Sequence, residues 1–329
     1  MIQFFGTRDH VDTANQFADS WAPELRTHIR TEAYENISFR KPLPGGVCIF
    51  MDFERLLPLE MSLARRLTAA VRALPEKYIV LNNPDHYIGR LRLLEVLHEQ
   101  GINDFRAFRA NMTPDDLRFP VFVRSEIDHN GPATPLLHSR DELKRVLASD
   151  AFQDPQLQKH LMVTEFCDCM EAGGTFRKYS VMNINGTLIP RHLFSSRDWV
   201  LKLQSAEFVD TDSVAKEEDF LRNFPHATQI LEIFRLAGVD YGRIDYGVRN
   251  GRIQVWEINT NPTIVPVQEK IHPLRMADQA ESARRIAAVL KTLSMSRAGT
   301  SAFPFRSAKM LPAKILQHFS RRTHRQHRK

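Results

Sequence analysis

Cysteine is scarce in this chain: Cys48, Cys167 and Cys169 are the three among 329 residues. Three thiols cannot build a disulfide framework, and they fit a reducing compartment. Cys167 and Cys169 have no Cys or His partner at zinc spacing, so they read as small residues in a partly buried segment. Long apolar runs are also missing, and no stretch reaches the length of a membrane span. The opening MIQFFGTRDHVDTANQF lacks a basic segment followed by an apolar one, so it does not read as an export signal. The expected location is cytoplasmic. No Ser, Cys or His constellation resembles a nucleophilic triad, and there is no internal repeat. Acid is missing from one region: from Arg297 to Lys329 there are nine Lys/Arg and no Asp/Glu. Removing that tail leaves 36 basic residues against 39 acidic, so the net charge of +6 belongs to the tail.

What is present suggests two domains or one multi-lobed enzyme. Val47 to Phe50 is a short apolar run after Pro44-Gly45-Gly46 and reads as a strand. Leu57 to Leu74 has helical periodicity and stops before Pro75, and Tyr78 to Leu81 is a second strand. This β-α-β order predicts a small α/β lobe over residues 1–82, although the first forty residues are weakly patterned. Ile88 to Gln100 predicts a helix stopped by Gly101. Phe119 to Arg124 predicts a strand running into the polar loop Ser125 to Pro135. Ser139-Arg-Asp-Glu142 predicts a capping box opening a helix to Ser149. Leu161 to Phe166 is a strand, and Phe176 to Ile184 with Thr187 to Leu193 forms a hairpin at Asn185-Gly186. Phe220 to Ala237 is largely helical and ends at Gly238; Asp278 to Leu293 is a final amphipathic helix.

The most informative stretch is YGRIDYGVRNGRIQVWEINTNP, Tyr241 to Pro262. Strand alternation puts Arg243 with Asp245 on one face, and Glu257 with Asn259 on one face. A two-residue turn at Asn250-Gly251 with unbroken pairing would send Asp245 and Glu257 to opposite faces. The expectation is therefore a three-residue loop, Arg249-Asn250-Gly251, which pairs Asp245 with Val255 and Arg243 with Glu257. All four polar groups then share a face. Two carboxylates and an amide oxygen make a hard-cation site, which Mg²⁺ occupies between carboxylates and substrate phosphate. The bland alternative is a hairpin with a solvated polar face.

Both halves of this stretch resemble the ATP-grasp superfamily, in particular its D-alanine–D-alanine ligase and ribosomal-protein glutamate ligase branches. The resemblance implies an ATP-grasp fold from about Asn83 to Leu293, with two α+β lobes enclosing ATP. The division it implies is 83–294, with a central lobe over about 103–168 and a C-terminal lobe over about 169–294. It also implies that Asp245, Glu257 and Asn259 bind Mg²⁺ (or Mn²⁺), two ions, on the ATP phosphates, and that Arg243 steadies the transferring phosphoryl group.

Further roles follow from the same resemblance. Arg90 and Arg124 stand where relatives place phosphate-binding lysines, and arginine keeps the charge with bidentate donors. For Arg90 the alternative is a solvated helix residue. The loop Ser125 to Pro135 departs from the glycine-rich pattern, and Glu126 and Asp128 would have to point away from phosphate. Thr164-Glu165-Phe166-Cys167-Asp168 resembles the hinge that meets adenine. Glu165, Asp168 and Glu171 are candidates for a ribose hydroxyl, and the sequence does not choose among them. Arg177, sharing a face with Tyr179 and opposite Lys178, is the expected basic residue of the next strand, and Lys202 is expected at the γ-phosphate. Arg191 and His192 are open to a substrate contact, with a satisfied hairpin histidine as the plainer reading of His192. The implied reaction is ATP-dependent joining of a carboxylate to an amine through an acylphosphate. Phosphotransfer to a hydroxyl and an ATP-binding module with little turnover are the alternatives. Residues 295–329 are expected to lie outside the catalytic core, as a solubilising terminus or a weak anionic-surface binder through a basic amphipathic segment at Leu311 to Phe319.

Overall fold

A computed structural model describes residues 1–37, 46–73, 78–201 and 210–296. The expectations for Lys202, for the end of the helix at Leu74 and for the tail after Ser296 fall outside the described residues.

The chain opens with β1 (Ile2–Gly6), α1 (Thr13–Trp21), β2 (Ile29–Ala33), β3 (Val47–Phe50), α2 (Pro58–Arg72) and β4 (Ile79–Leu81). The four strands form a parallel sheet in the order β2-β1-β3-β4. The predicted α/β lobe is therefore present, and its first half supplies two strands where sequence pattern was weak. β1 is buried at every position, so it shows no alternation, and β2 carries polar residues at its three central positions. A strand buried on both faces reads as a short apolar run, not as a period of two.

The next region comprises α3 (Arg90–Glu99), β5 (Ala107–Arg109), β6 (Val121–Ser125), α4 (Arg140–Leu147), the single turn α5 (Pro155–Gln158) and β7 (Leu161–Glu165). Its strands form an antiparallel sheet in the order β5-β7-β6. The Ser139 hydroxyl accepts from the Glu142 amide at 3.2 Å, as the capping pattern predicts. Glu142 returns its carboxylate to the amide of His138 and not to that of Ser139, so the box is displaced by one residue.

The last region holds β8 (Phe176–Ile184), β9 (Thr187–Ser196), α6 (Thr211–Asn223), α7 (Ala227–Ala237), β10 (Tyr241–Arg249), β11 (Arg252–Asn259) and α8 (Met276–Ser294). Its antiparallel sheet runs β11-β10-β8-β9. The stretch expected to be largely helical to Ala237 is so, in two helices, because Phe224 takes a φ of +29° before Pro225 and ends α6. Gly238 closes α7 in the left-handed conformation, as predicted.

One core joins Ile2, Phe4 and Ile49 of the parallel sheet to Ile184 and Tyr241 of the last sheet and to Ile286 and Leu290 of α8. Each such side chain, removed fully from water, contributes about 2 kcal/mol. Asn82 reinforces the junction: its amide donates to the carbonyls of Phe50 and Tyr241, and its oxygen accepts from the amides of Asp240 and Tyr241. The parallel sheet is thereby held against the sheet that carries the candidate site.

Candidate active site

The Asn250-Gly251 turn is the two-residue kind, with φ of +51° and +74° at its two residues. Arg249 pairs with Arg252, and the expected three-residue loop does not form. Asparagine followed by glycine strongly favours this turn, because its twist matches that of the flanking strands. Parity is restored instead by a bulge: Tyr246 pairs with Val255 and Asp245 with Glu257, so Trp256 is the extra residue of β11. Arg243 then stands opposite Asn259. The shared face predicted for Arg243, Asp245, Glu257 and Asn259 exists, by a different device and in a different register. Gly247 makes the bulge possible, since a Cβ there would lie 2.7 Å from the Trp256 ring and 3.1 Å from the Cys169 sulfur.

The pairing continues across the sheet. Glu257 lies opposite Asp245, Asp245 opposite Ser180, and Ser180 opposite His192. One rung therefore carries four polar residues, of which Glu257, Asp245 and His192 line a cavity of about 850 Å³. Asp245 is buried, accepts from the Ser180 hydroxyl at 2.8 Å and from Arg243 Nε at 2.8 Å, and has Lys178 Nζ at 3.7 Å. Burial lowers the pKa of Lys178, with the Asp245 charge opposing that shift. Burial acts on Arg243 too, but the Asp245 carboxylate outweighs it and raises its pKa.

Glu257 is held by Arg124 at 2.6 Å and Arg90 at 3.0 Å, with His129 Nδ1 at 3.9 Å. Burial alone would raise its pKa. The charges of Arg90 and Arg124 win, with His129 adding to them, and keep the carboxyl well below the ordinary range. Arg124 stands near the end of β6 and Arg90 opens α3, as the sequence predicts for both. Arg90 also donates to the carbonyls of Ser125 and Asp128, so it fixes the loop after β6. Glu126 turns away to Arg109 at 2.8 Å, and Asp128 caps the amide of Asn130. The two acids of that loop are thus engaged elsewhere.

Asn259 accepts from the amide of Asn261 at 2.9 Å. The following residues are pinned to the parallel sheet: Thr260 donates its amide and hydroxyl to Glu54, and Asn261 donates to the His10 carbonyl. Among the described residues no group of three His, Cys, Asp or Glu could hold a metal ion. Two carboxylates and one amide oxygen suit Mg²⁺, which draws its remaining ligands from phosphate and water. The Nε atoms of Arg90 and Arg124 and the Nε2 of His129 are buried without a partner. Unpaired donors of this kind around Glu257 fit a polyanion, so the residues present suit a metal-bound triphosphate.

At the other end of the cavity Trp199 packs against Phe122 and Phe166 with ring centroids 5.1 and 5.6 Å apart, and Phe176 completes the wall. Phe166 was expected there; the slot formed with Phe122, Phe176 and Trp199 was not. Glu165, by contrast, is locked between Arg106 and Arg118 and accepts from both of their amides. Asp168 is exposed and caps the amide of Met170. Glu171 takes a bond from Arg177 at 2.8 Å.

Arg177 is not brought to the cluster. It bonds Glu171 and the Ser195 hydroxyl on the face opposite Asp245. Lys178 takes the cavity face, and the signal for it was Tyr179, which stacks on Tyr246 with the interior. An aromatic that faces the core turns its neighbours Lys178 and Ser180 outward to the site.

No protein-family model matches the chain, and no curated protein matches it. Among solved structures the chain is similar to D-alanine–D-alanine ligase from Bacillus anthracis, at 15% identity over 88% of this chain and 98% of that one, with a TM-score of 0.48. It is similar to a RimK-domain ATP-grasp protein from Sphaerobacter thermophilus, at 12% identity over 88% and 99%, TM-score 0.48. It is also similar to the ATP-grasp ligase PsnB complexed with minimal precursor, Mg and ADP, at 11% identity over 89% and 97%, TM-score 0.49.

Proposed function

We propose that this chain is an ATP-grasp ligase that activates a carboxylate with ATP and joins it to an amine. The observation that carries the reading is the pairing of two acids with four cations: Asp245 with Arg243 and Lys178, and Glu257 with Arg124 and Arg90, all but the buried Arg90 lining one cavity. Such a surface offers oxygen ligands to a divalent ion and donors to phosphate at the same time. Asp245, Glu257 and Asn259 would hold Mg²⁺ (or Mn²⁺), and that ion would supply charge neutralisation at the phosphate oxygens.

In this reading the base of ATP enters the slot of Phe122, Phe166 and Trp199. Arg90 and Arg124 bind the phosphate chain. Lys178 and Arg243 face the γ-phosphoryl group and stabilise charge as it passes to a carboxylate oxygen, while ADP leaves. An amine then attacks the acyl carbon, and phosphate departs with the formation of an amide. Residues 1–82 serve as the lobe against which the last sheet is braced, and 83–294 as the catalytic region. Lys202 keeps its proposed place at the γ-phosphate, outside the described residues.

The test is capture of the intermediate. Incubation with MgATP, a panel of carboxylic acids and hydroxylamine is expected to yield a hydroxamate in step with ADP. ADP release with a phosphorylated alcohol and no hydroxamate would replace the ligase by a kinase.

A further inference from the structure

The same cavity is also lined by Thr13 and Gln16 of α1, Arg191 and His192 of β9, and Arg275 and Gln279, with His192 at the far strand of the rung that carries Asp245. Arg191 is 1% exposed. Its Nε donates to the carbonyl of Ile264 and its Nη1 to the Gln279 side chain, neither of which carries charge. The nearby acid, Glu217, already receives two bonds from Arg275 and others from Gln279 and the Leu193 amide. Two buried guanidiniums therefore share one carboxylate, one of them directly and the other only through Gln279.

Beside Arg191, the His192 ring is buried and stacks on Phe194 at 4.0 Å, and its Nε2 has no partner. Burial, followed by the charges of Arg191, Arg243, Lys178 and Arg275, holds His192 well below the ordinary histidine range, so the ring is neutral. Burial brings Arg191 down to about 9, which leaves it charged at neutral pH. A buried guanidinium without a carboxylate of its own, and a buried ring nitrogen without a partner, each carry a desolvation penalty. One anion lying between them relieves both.

The place of this pair relative to the phosphate end limits what the anion is. His192 lies two strands from Asp245, roughly 10 Å along the rung. A carboxylate held there is not the one that meets the γ-phosphoryl group at Arg243. We propose that Arg191 and His192 bind a second, unactivated carboxylate of the acid substrate, which is therefore a dicarboxylic acid or an acidic amino acid. The proposal rests on the ligase reading for the fate of the first carboxylate only. Arg243 of β10 and Arg191 of β9 both line the one cavity, so a single dicarboxylate is the ligand that engages the two.

The experiment compares glutarate with its half-amide, which differs in one charge and little in shape. Calorimetric titration onto the full chain, without turnover, is expected to give glutarate at least tenfold tighter binding. ADP release with hydroxylamine as nucleophile is expected to show the same preference in KM. His192→Leu and Arg191→Lys should each collapse that preference while the affinity for MgATP is kept. If Arg191→Lys fails to fold, His192→Leu decides alone. Equal binding of glutarate and half-amide, or a preference that survives His192→Leu, overturns the proposal. A protein that prefers glutarate in the titration but releases no ADP keeps the anion subsite and refutes the ligase reading instead.

Discussion

Replacing Glu165 with Gln separates a ligand contact from a structural one. The Glu165 side chain is 3% exposed and meets Arg106 at 2.6 Å and Arg118 at 2.5 Å. Burial would raise its pKa, but the bonds from Arg106 and Arg118 overcome this and bring it down to about 2, against an ordinary 4.5. A tenfold difference in proton affinity between the folded and unfolded chain corresponds to about 1.4 kcal/mol. Arg118 is 54% exposed, and solvent screens its share, so about 2 kcal/mol is the expected loss in Glu165→Gln at pH 7. The sign follows from the depressed folded value. The contribution is complete above the unfolded pKa of about 4.5 and disappears as pH falls toward 2. Urea unfolding at pH 7 and pH 3 reads both quantities, and the wild-type advantage should shrink at pH 3. ATP affinity in the folded variant should be unchanged. A stable variant with weakened ATP binding would refute the reasoning and return Glu165 to the ribose.

Gly247→Ala places a Cβ 2.7 Å from the Trp256 ring and 3.1 Å from Cys169 Sγ, and should cost about 1–3 kcal/mol through overpacking at the bulge; a thermal midpoint within about a degree of wild type would contradict this. Glu60 is pushed up to about 7, by burial first and then by the charges of Glu35 and Asp52, against one bond from the Leu57 amide that lowers it. Its folded form holds a proton that the unfolded chain releases near 4.5, so stability falls as pH rises from there to about 7. Glu60→Gln should remove that decline and stabilise the protein at pH 8 by about 2 kcal/mol, read by denaturant titration.

The sequence carried the site's composition further than its construction. The face shared by Asp245 and Glu257 followed from requiring their carboxylates to converge. The means did not, because a bulge at Trp256 leaves no mark in a period-of-two pattern. Arg90 and Arg124 lie where their elements predict, since an α-helix start and a strand end aim side chains in fixed directions. The choice between Arg177 and Lys178 turned on which face Tyr179 takes, and that is settled by packing on Tyr246 across the sheet. Glu165 could not be told from a ribose ligand without its partners, which lie on segments remote in sequence. The slot of Phe122, Phe166, Phe176 and Trp199 draws on four separate segments, so no local spacing announces it.

Calorimetric titration of ATP into the wild type and Asp245→Asn, each with Mg²⁺ and with EDTA, tests the central claim most directly. The account predicts that Mg²⁺ tightens ATP binding at least tenfold in the wild type, about 1.4 kcal/mol, and that Asp245→Asn removes most of that gain. ATP affinity that is the same with and without Mg²⁺ in the wild type would contradict it.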